Sequence, residues 1–257
     1  MKRKSCGNIV LEDGSFHICA TLTSGTIHSL KKDLQDLTIN EPAVIEWRAD
    51  YLMENLTEEN IVEGLMLIRK THSRTPLIFT LRKESEGGVW SLTEEELYRL
   101  RLCAAETGLL DLMDIELSSL LTDTEKVFSY ESLIRSLKSR RMLLILSYHD
   151  FTGVPDQDAL IQIVQKMTEE DADITKIAVM VMGEEDMNLL KEVSTRLREE
   201  PGVPHILIGM GELGVETRYN RKDFSSALTY AYVGEKSAPG QISITDLKHL
   251  LEISKGE

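Results

Sequence analysis

Eight short runs of apolar, largely β-branched residues recur along this chain, and their recurrence limits the fold more than any other feature. They are His17–Thr23, Val44–Asp50, Leu77–Arg82, Leu112–Leu117, Met142–Asp150, Ile174–Val181, His205–Gly211 and Ala227–Val233. Most are near-continuous in apolar character rather than alternating, the pattern of strands covered on both faces. Between them lie stretches with helical spacing: Ile27, Leu30, Leu34 and Leu37; Ile61, Leu65 and Ile68; Leu160, Ile163, Val164 and Met167; Met187, Leu190 and Leu197. Thr93-Glu94-Glu95-Glu96 is a capping box, opening a helix that turns Leu97, Leu100 and Ala104 inward and ends at Gly108. A last helix is predicted over Thr245–Ser254, with Leu247, Leu250 and Leu251 on its apolar face. Eight strands alternating with eight helices in 257 residues predict an α/β fold, a closed (β/α)8 TIM barrel. An open doubly wound sheet would normally carry a glycine-rich phosphate fingerprint after its first strand, and none is present. Residues 1–16 precede the first strand; Asn8-Ile9-Val10-Leu11 and Asp13-Gly14 predict a β-hairpin across the barrel floor. With no linker or low-complexity segment, residues 1–257 are expected to form a single domain.

Composition removes several function classes. Lysine and arginine number 29 against 43 aspartate and glutamate, a net charge of −14. That balance argues against nucleic acid as a partner. No apolar stretch approaches a membrane span, and the opening Met-Lys-Arg-Lys leads into no hydrophobic signal region. Cys6, Cys19 and Cys103 are odd in number and widely spaced, as suits a reducing compartment. A cytoplasmic protein with neither nucleic acid nor membrane as partner is expected.

A barrel concentrates chemistry at the carboxyl ends of its strands. The second run places Glu46, Arg48 and Asp50 in phase, and the third ends in Arg82 before Glu84-Ser85-Glu86-Gly87-Gly88. Asp114 and Glu116 share a face of the fourth, and Ser147 and His149 of the fifth. Glu212 and Arg218 follow the seventh, and Ser237-Ala238-Pro239-Gly240-Gln241 the eighth. The sixth supplies Lys176, alone in Ile174-Thr175-Lys176-Ile177-Ala178-Val179. Desolvation disfavours an ammonium, and an amine freed of its proton can attack a carbonyl to form a Schiff base. The plainer reading is a strand-end lysine that snorkels into water. Similarly, Arg–carboxylate pairs can be structural, and a loop glutamate such as Glu86 is commonly solvated. The histidines discriminate. His17 and His205 begin strands, His28, His72 and His249 lie in or beside helices, and only His149 reaches the active end, one strand from Lys176. Neighbouring strands lie about 4.8 Å apart, so the two side chains can meet. Arg48, Arg82 and Arg218 suit an anionic, polyhydroxylated ligand, and their charge would press on an ammonium at Lys176. No metal-ligand spacing is present, and Mg²⁺ held by Asp114, Glu116 and Glu46 would be opposed by the neighbouring cations.

On these residues the chain resembles the type I 3-dehydroquinate dehydratases of the shikimate pathway. The resemblance runs from about residue 17 to the last helix. It is carried by Glu46-Trp47-Arg48, Phe79-Thr80-Leu81-Arg82 with Glu86-Gly87-Gly88, His149-Asp150-Phe151, Lys176-Ile177-Ala178-Val179-Met180, Gly214 with Arg218, and Ser237-Ala238-Pro239-Gly240-Gln241-Ile242-Ser243. It implies dehydration of 3-dehydroquinate to 3-dehydroshikimate through an imine on Lys176, with His149 as general acid and base and Glu86 orienting it. It implies further that Arg218 faces the substrate carboxylate, with Gln241 and Ser237 on its polar groups. Thr21, Glu46, Arg48 and Arg82 are implied to bind hydroxyls or form the nearby charge network. No cofactor or metal is implied, and a homodimer is. The chain departs from the family pattern at Thr21 (commonly serine), Tyr148 (asparagine), Val181-Met182-Gly183 (proline and glutamine), Ile208 (methionine) and Tyr230 (phenylalanine). Two rivals remain: another lysine-dependent lyase such as a class I aldolase, which leaves the arginines and Ser-Ala-Pro-Gly-Gln unexplained, and a non-catalytic metabolite-binding barrel.

Overall fold

The computed structural model describes residues 2–53, 56–121, 130–233 and 240–254. Strands β1 (Arg3–Cys6) and β2 (Ile9–Glu12) form an antiparallel hairpin. Eight strands then build one parallel sheet: β3 (His17–Leu22), β4 (Val44–Arg48), β5 (Leu77–Thr80), β6 (Leu112–Glu116), β7 (Leu143–Asp150), β8 (Ile174–Met180), β9 (His205–Met210) and β10 (Leu228–Tyr232). A two-residue strand, β11 (Ile242–Ser243), pairs with the upper end of β10. The order is β11-β10-β3-β4-β5-β6-β7-β8-β9, so each barrel strand from β3 to β8 pairs with its successor and β10 returns beside β3. Every residue of β4, β5, β6 and β9 is buried, which is why these runs read as near-continuous apolar sequence.

The join between β9 and β10 is built differently. Ala227 N–H donates to His205 O at 2.8 Å near the floor. Above it, hydroxyls do the work of a ladder. Ser226 Oγ accepts from Leu207 N–H at 3.0 Å, and Thr217 Oγ1 accepts from Gly209 N–H at 3.0 Å. Arg218 reaches across to Tyr230 O at 3.3 Å.

The outer layer consists of α1 (Ile27–Asn40), α2 (Glu58–Thr71), α3 (Glu94–Glu106), α4 (Leu117–Leu121), α5 (Tyr130–Ser139), α6 (Gln157–Glu169), α7 (Glu184–Glu199) and α8 (Ile244–Ile253). The predicted apolar faces turn inward, with Leu30, Leu34 and Leu37 of α1, and Ile61, Leu65 and Ile68 of α2, fully buried. The Thr93–Glu96 capping box is present. The expected alternation fails at one point: β9 and β10 are joined by a 3-10 turn, Leu213–Arg218, and not by an α-helix. Here Gly214 lies flat against Gly209, where a Cβ would come 2.3 Å from the Gly209 carbonyl carbon. That close approach seats the turn on the strand end and brings Arg218 over the barrel mouth.

The interior has two storeys. In the lower one Cys19, Val44, Ile78, Leu112, Ile145 and Ile174 pack together, and the hairpin closes it from below with Leu11 and Cys6. The hairpin turns at Gly7-Asn8, and Asp13-Gly14 instead forms the bend into β3. Asp13 Oδ1 accepts the His205 amide at 3.1 Å and lies 3.0 Å from its ring Nδ1, while Ser225 Oγ meets Nε2 at 3.1 Å. This serine–histidine–aspartate line is sealed beneath the barrel, with Ser225 only 4% exposed, and it braces the hairpin to β9. The upper storey is polar.

Candidate active site

A cavity opens at the carboxyl ends of the strands. Thr21, Glu46, Arg48, Arg82, Glu86, His149, Lys176, Arg218 and Gln241 line it. These are nine of the ten predicted site residues; the tenth, Ser237, lies outside the described residues. The parallel register sets their heights. Ser147 is opposite Lys176 and Ala178 is opposite His149, so the histidine stands two residues, about 6.6 Å, nearer the mouth than the lysine.

Lys176 is 5% exposed and does not snorkel. Its Nζ donates to Asp114 Oδ2 at 2.8 Å, lies 3.7 Å from Glu46 Oε1, and sits 4.4 Å from the centre of the Tyr230 ring. The charged groups in contact with the amine are carboxylates. Arg82 Nη2 shares Asp114 Oδ2 with the lysine at 2.8 Å, while its Nη1 meets Glu116 Oε1 at 2.8 Å and Ser147 Oγ at 2.7 Å. Arg48 is forked onto Asp50 at 2.7 and 2.8 Å. Asp50 leaves the strand phase predicted for it, because β4 gives way to a 3-10 turn at Ala49–Tyr51. Burial alone would raise the Asp114 carboxyl, yet Arg82 and Lys176 outweigh it and hold Asp114 well below the carboxylate range. Both cations thus favour the ionised form of Asp114.

His149 and Glu86 form the second group. Glu86 Oε2 accepts the His149 backbone N–H at 3.1 Å and lies 3.0 Å from its Nδ1; Oε1 accepts from Ser118 Oγ at 2.6 Å. Burial pushes the Glu86 carboxyl up to about 7 against the pull of the Ser118 hydrogen bond. Burial, with Arg82 and Lys176 nearby, holds the His149 imidazole well below its ordinary value. A neutral ring whose Nδ1–H is taken by an ionised Glu86 presents its Nε2 lone pair, the form required of a base.

Arg218 is 3% exposed. Its Nε has no hydrogen-bond partner, and no carboxylate among the described residues pairs with it. Burial draws its guanidinium down to about 10. Thr21 Oγ1 donates to Glu46 Oε2 at 3.1 Å and receives Gln241 Nε2 at 3.4 Å. Ile208 and Tyr230 form cavity wall. Tyr148 points away from the barrel centre, with its hydroxyl 3.1 Å from Asp150 Oδ2.

Sequence reasoning gave no role to Asp114, Ser147, Ser118 or Arg101. The period-two series Asp114, Glu116, Ser118 was the available signal for two of them. Arg101 offered none: on an amphipathic helix an arginine reads as solvated, yet this one is wholly buried, paired with Glu116 Oε2 and 2.8 Å from Leu81 O.

The family model for type I 3-dehydroquinase matches residues 18–257. The chain belongs to that family. It is 33% identical over 241 residues to the 3-dehydroquinate dehydratase of Geobacillus sp. (strain WCH70), covering 92% of this chain and 89% of that one. The enzyme of Salmonella agona (strain SL483) is 32% identical over 254 residues, covering 98% of both. Among solved structures, the 3-dehydroquinate dehydratase of Geobacillus kaustophilus HTA426 superposes with a TM-score of 0.91 at 30% identity, covering 99% of this chain and 97% of that one. The type I enzyme of Clostridium difficile, with covalently modified comenic acid, gives 0.90 at 29% identity, covering 100% and 99%. These type I 3-dehydroquinase neighbours share the barrel across essentially its whole length.

Proposed function

We propose that this type I 3-dehydroquinase converts 3-dehydroquinate to 3-dehydroshikimate and water through an imine on Lys176. The observation that carries the reading is one cavity at the barrel mouth that holds an amine, a histidine presenting Nε2, and a guanidinium that pairs with no carboxylate among the described residues. Arg218 supplies a site for the substrate carboxylate, and seating it there sets the ketone against Lys176 Nζ. The amine adds to the carbonyl carbon, and His149 moves the protons that turn the carbinolamine into imine and water. The imine draws electrons from the adjacent C–H bond. His149 Nε2 takes that proton, standing about 6.6 Å along the sheet from the lysine, a step a small carbocycle can span. The resulting enamine expels the β-hydroxyl, which leaves with the proton from His149, and water hydrolyses the imine to free the amine. Glu86 fixes the ring, while Asp114 and Glu46 fix Nζ. Thr21, Gln241 and Arg48 complete the polar wall around the hydroxyls, the family resemblance adds Ser237 to the residues that bind them, and the route draws on no cofactor.

The covalent comenic acid in the Clostridium difficile relative supports a nucleophile in such a site. Borohydride added with 3-dehydroquinate is expected to leave a reduced adduct on the Lys176 peptide by mass spectrometry. Lys176→Ala is expected to lose both the adduct and the absorbance of 3-dehydroshikimate. A folded protein that dehydrates the substrate without a trappable adduct would sink the imine route. Retro-aldol products in place of dehydration would favour the aldolase reading. We read the whole chain as one domain of a cytoplasmic homodimer, without nucleic-acid or membrane partners. The net charge of −14 and the family resemblance support this, and no helix among the described residues is long and apolar enough to cross a membrane.

A further inference from the structure

One strand serves both halves of the site. From β6 into α4, residues 114, 116 and 118 each hold a different functional group: Asp114 holds Lys176, Glu116 holds Arg82, and Ser118 holds Glu86. Ser118 is half-buried and belongs to the first turn of α4, just after the buried strand ends.

We propose that Ser118 is a positioning residue for the dehydration, fixing Glu86 so that His149 keeps its proton on Nδ1 and leaves Nε2 free as the base. The inference rests on the dehydratase reading of the site and adds a residue to it. Glu86 has two oxygens and two tasks. Oε2 must accept both the His149 amide at 3.1 Å and the ring Nδ1–H at 3.0 Å, which leaves Oε1 as the oxygen needing a donor of its own. Ser118 Oγ supplies it at 2.6 Å, a short charge-assisted contact. A hydroxyl donating to a carboxylate favours the ionised form. Protonated, Glu86 would instead donate toward Nδ1, moving the ring proton to Nε2 and removing the base.

The remaining charges facing Glu86 do not replace this contact. Arg82 at the end of β5 favours the anion but is spent on Asp114, Glu116 and Ser147. Glu116 of β6 opposes the anion. On β7, Tyr148 directs its hydroxyl to Asp150, and His149 is itself the group being oriented. Arg48 of β4 reaches the neighbouring Gly87 carbonyl at 3.0 Å but is forked onto Asp50.

The test compares wild type, Ser118→Ala and Ser118→Thr. In Ser118→Ala the acidic limb of kcat/KM is expected to move to higher pH by about one unit, a tenfold change in the protonation equilibrium. KM above that limb should stay unchanged, and Ser118→Thr should restore the wild-type profile. The same displacement should appear without turnover, in the pH at which the ¹⁵N signals of the His149 ring exchange tautomer. A Ser118→Ala profile lowered equally at every pH, or tautomer signals identical to wild type, would overturn the role. Wild-type protein that shows the tautomer shift yet dehydrates nothing would overturn only the dehydratase reading.

Discussion

Arg218 carries a full charge in a nearly closed barrel mouth, with one long hydrogen bond to Tyr230 O and an unpartnered Nε. Such a group costs the folded protein stability, because desolvation is not repaid by a carboxylate among the described residues. Replacing it should therefore separate stability from binding. Arg218→Met is expected to raise folding stability by about 1 kcal/mol or more, read from denaturant midpoints. It should also raise KM for 3-dehydroquinate by about 10- to 100-fold, the value of a hydrogen-bonded charge pair. A variant with unchanged KM would remove Arg218 from the carboxylate site. At this scale the sequence was informative where strand phase decides direction. Lys176, His149, Glu46 and Arg82 had to share an interior if their strands closed a barrel, and they do. What could not be read was who neutralises whom. Period-two spacing placed Asp114 on the right face, but only register brings Asp114 Oδ2 to both Arg82 and Lys176.

Elements contribute by fixing the strands that carry these groups. Trp47 alternates with Glu46 and Arg48 on β4, so its indole points outward, fully buried, while its neighbours line the cavity. Helix α2 covers it at Gly64, where a Cβ would lie 2.3 Å from Trp47 Cη2. Two effects compete in Gly64→Ala: about 1 kcal/mol of improved helix propensity against about 1–3 kcal/mol of overpacking. The indole is fully buried and packs edge-on against Phe79 at 5.9 Å between ring centres, so the clash is expected to prevail. The variant should melt at lower temperature and lose turnover in step, since β4 and its Glu46 would move with the indole. A stability equal to wild type would show that α2 can slide. Helix faces and the Thr93 cap were legible because both are local patterns. The glycine–indole contact and the 3-10 turn at Leu213–Arg218 were not, because each depends on the approach of backbones distant in sequence or stacked by a glycine pair.

For the whole molecule, the division of the barrel into an apolar lower storey and a polar upper one separates holding from reacting. Leu11, fully buried from the hairpin, plugs the floor far from the cavity lining. Leu11→Ala should cost about 2–5 kcal/mol of stability, the usual range for a buried leucine. Below its melting transition kcat should remain at the wild-type value; a matching loss of kcat would mean that the floor shapes the site. The barrel count came through in the sequence because both-face burial makes strands conspicuous. The manner of closure did not, since the join between β9 and β10 depends on Ser226, Thr217 and Arg218 meeting backbone groups. That join has a mechanical meaning. A join held by side-chain hydroxyls has fewer backbone bonds to break than a ladder, so local opening of the circle of strands is expected to cost least there. Arg218 spans that gap while facing the pocket, and an anion held by it would therefore act as a latch, coupling a filled site to a stiffer barrel.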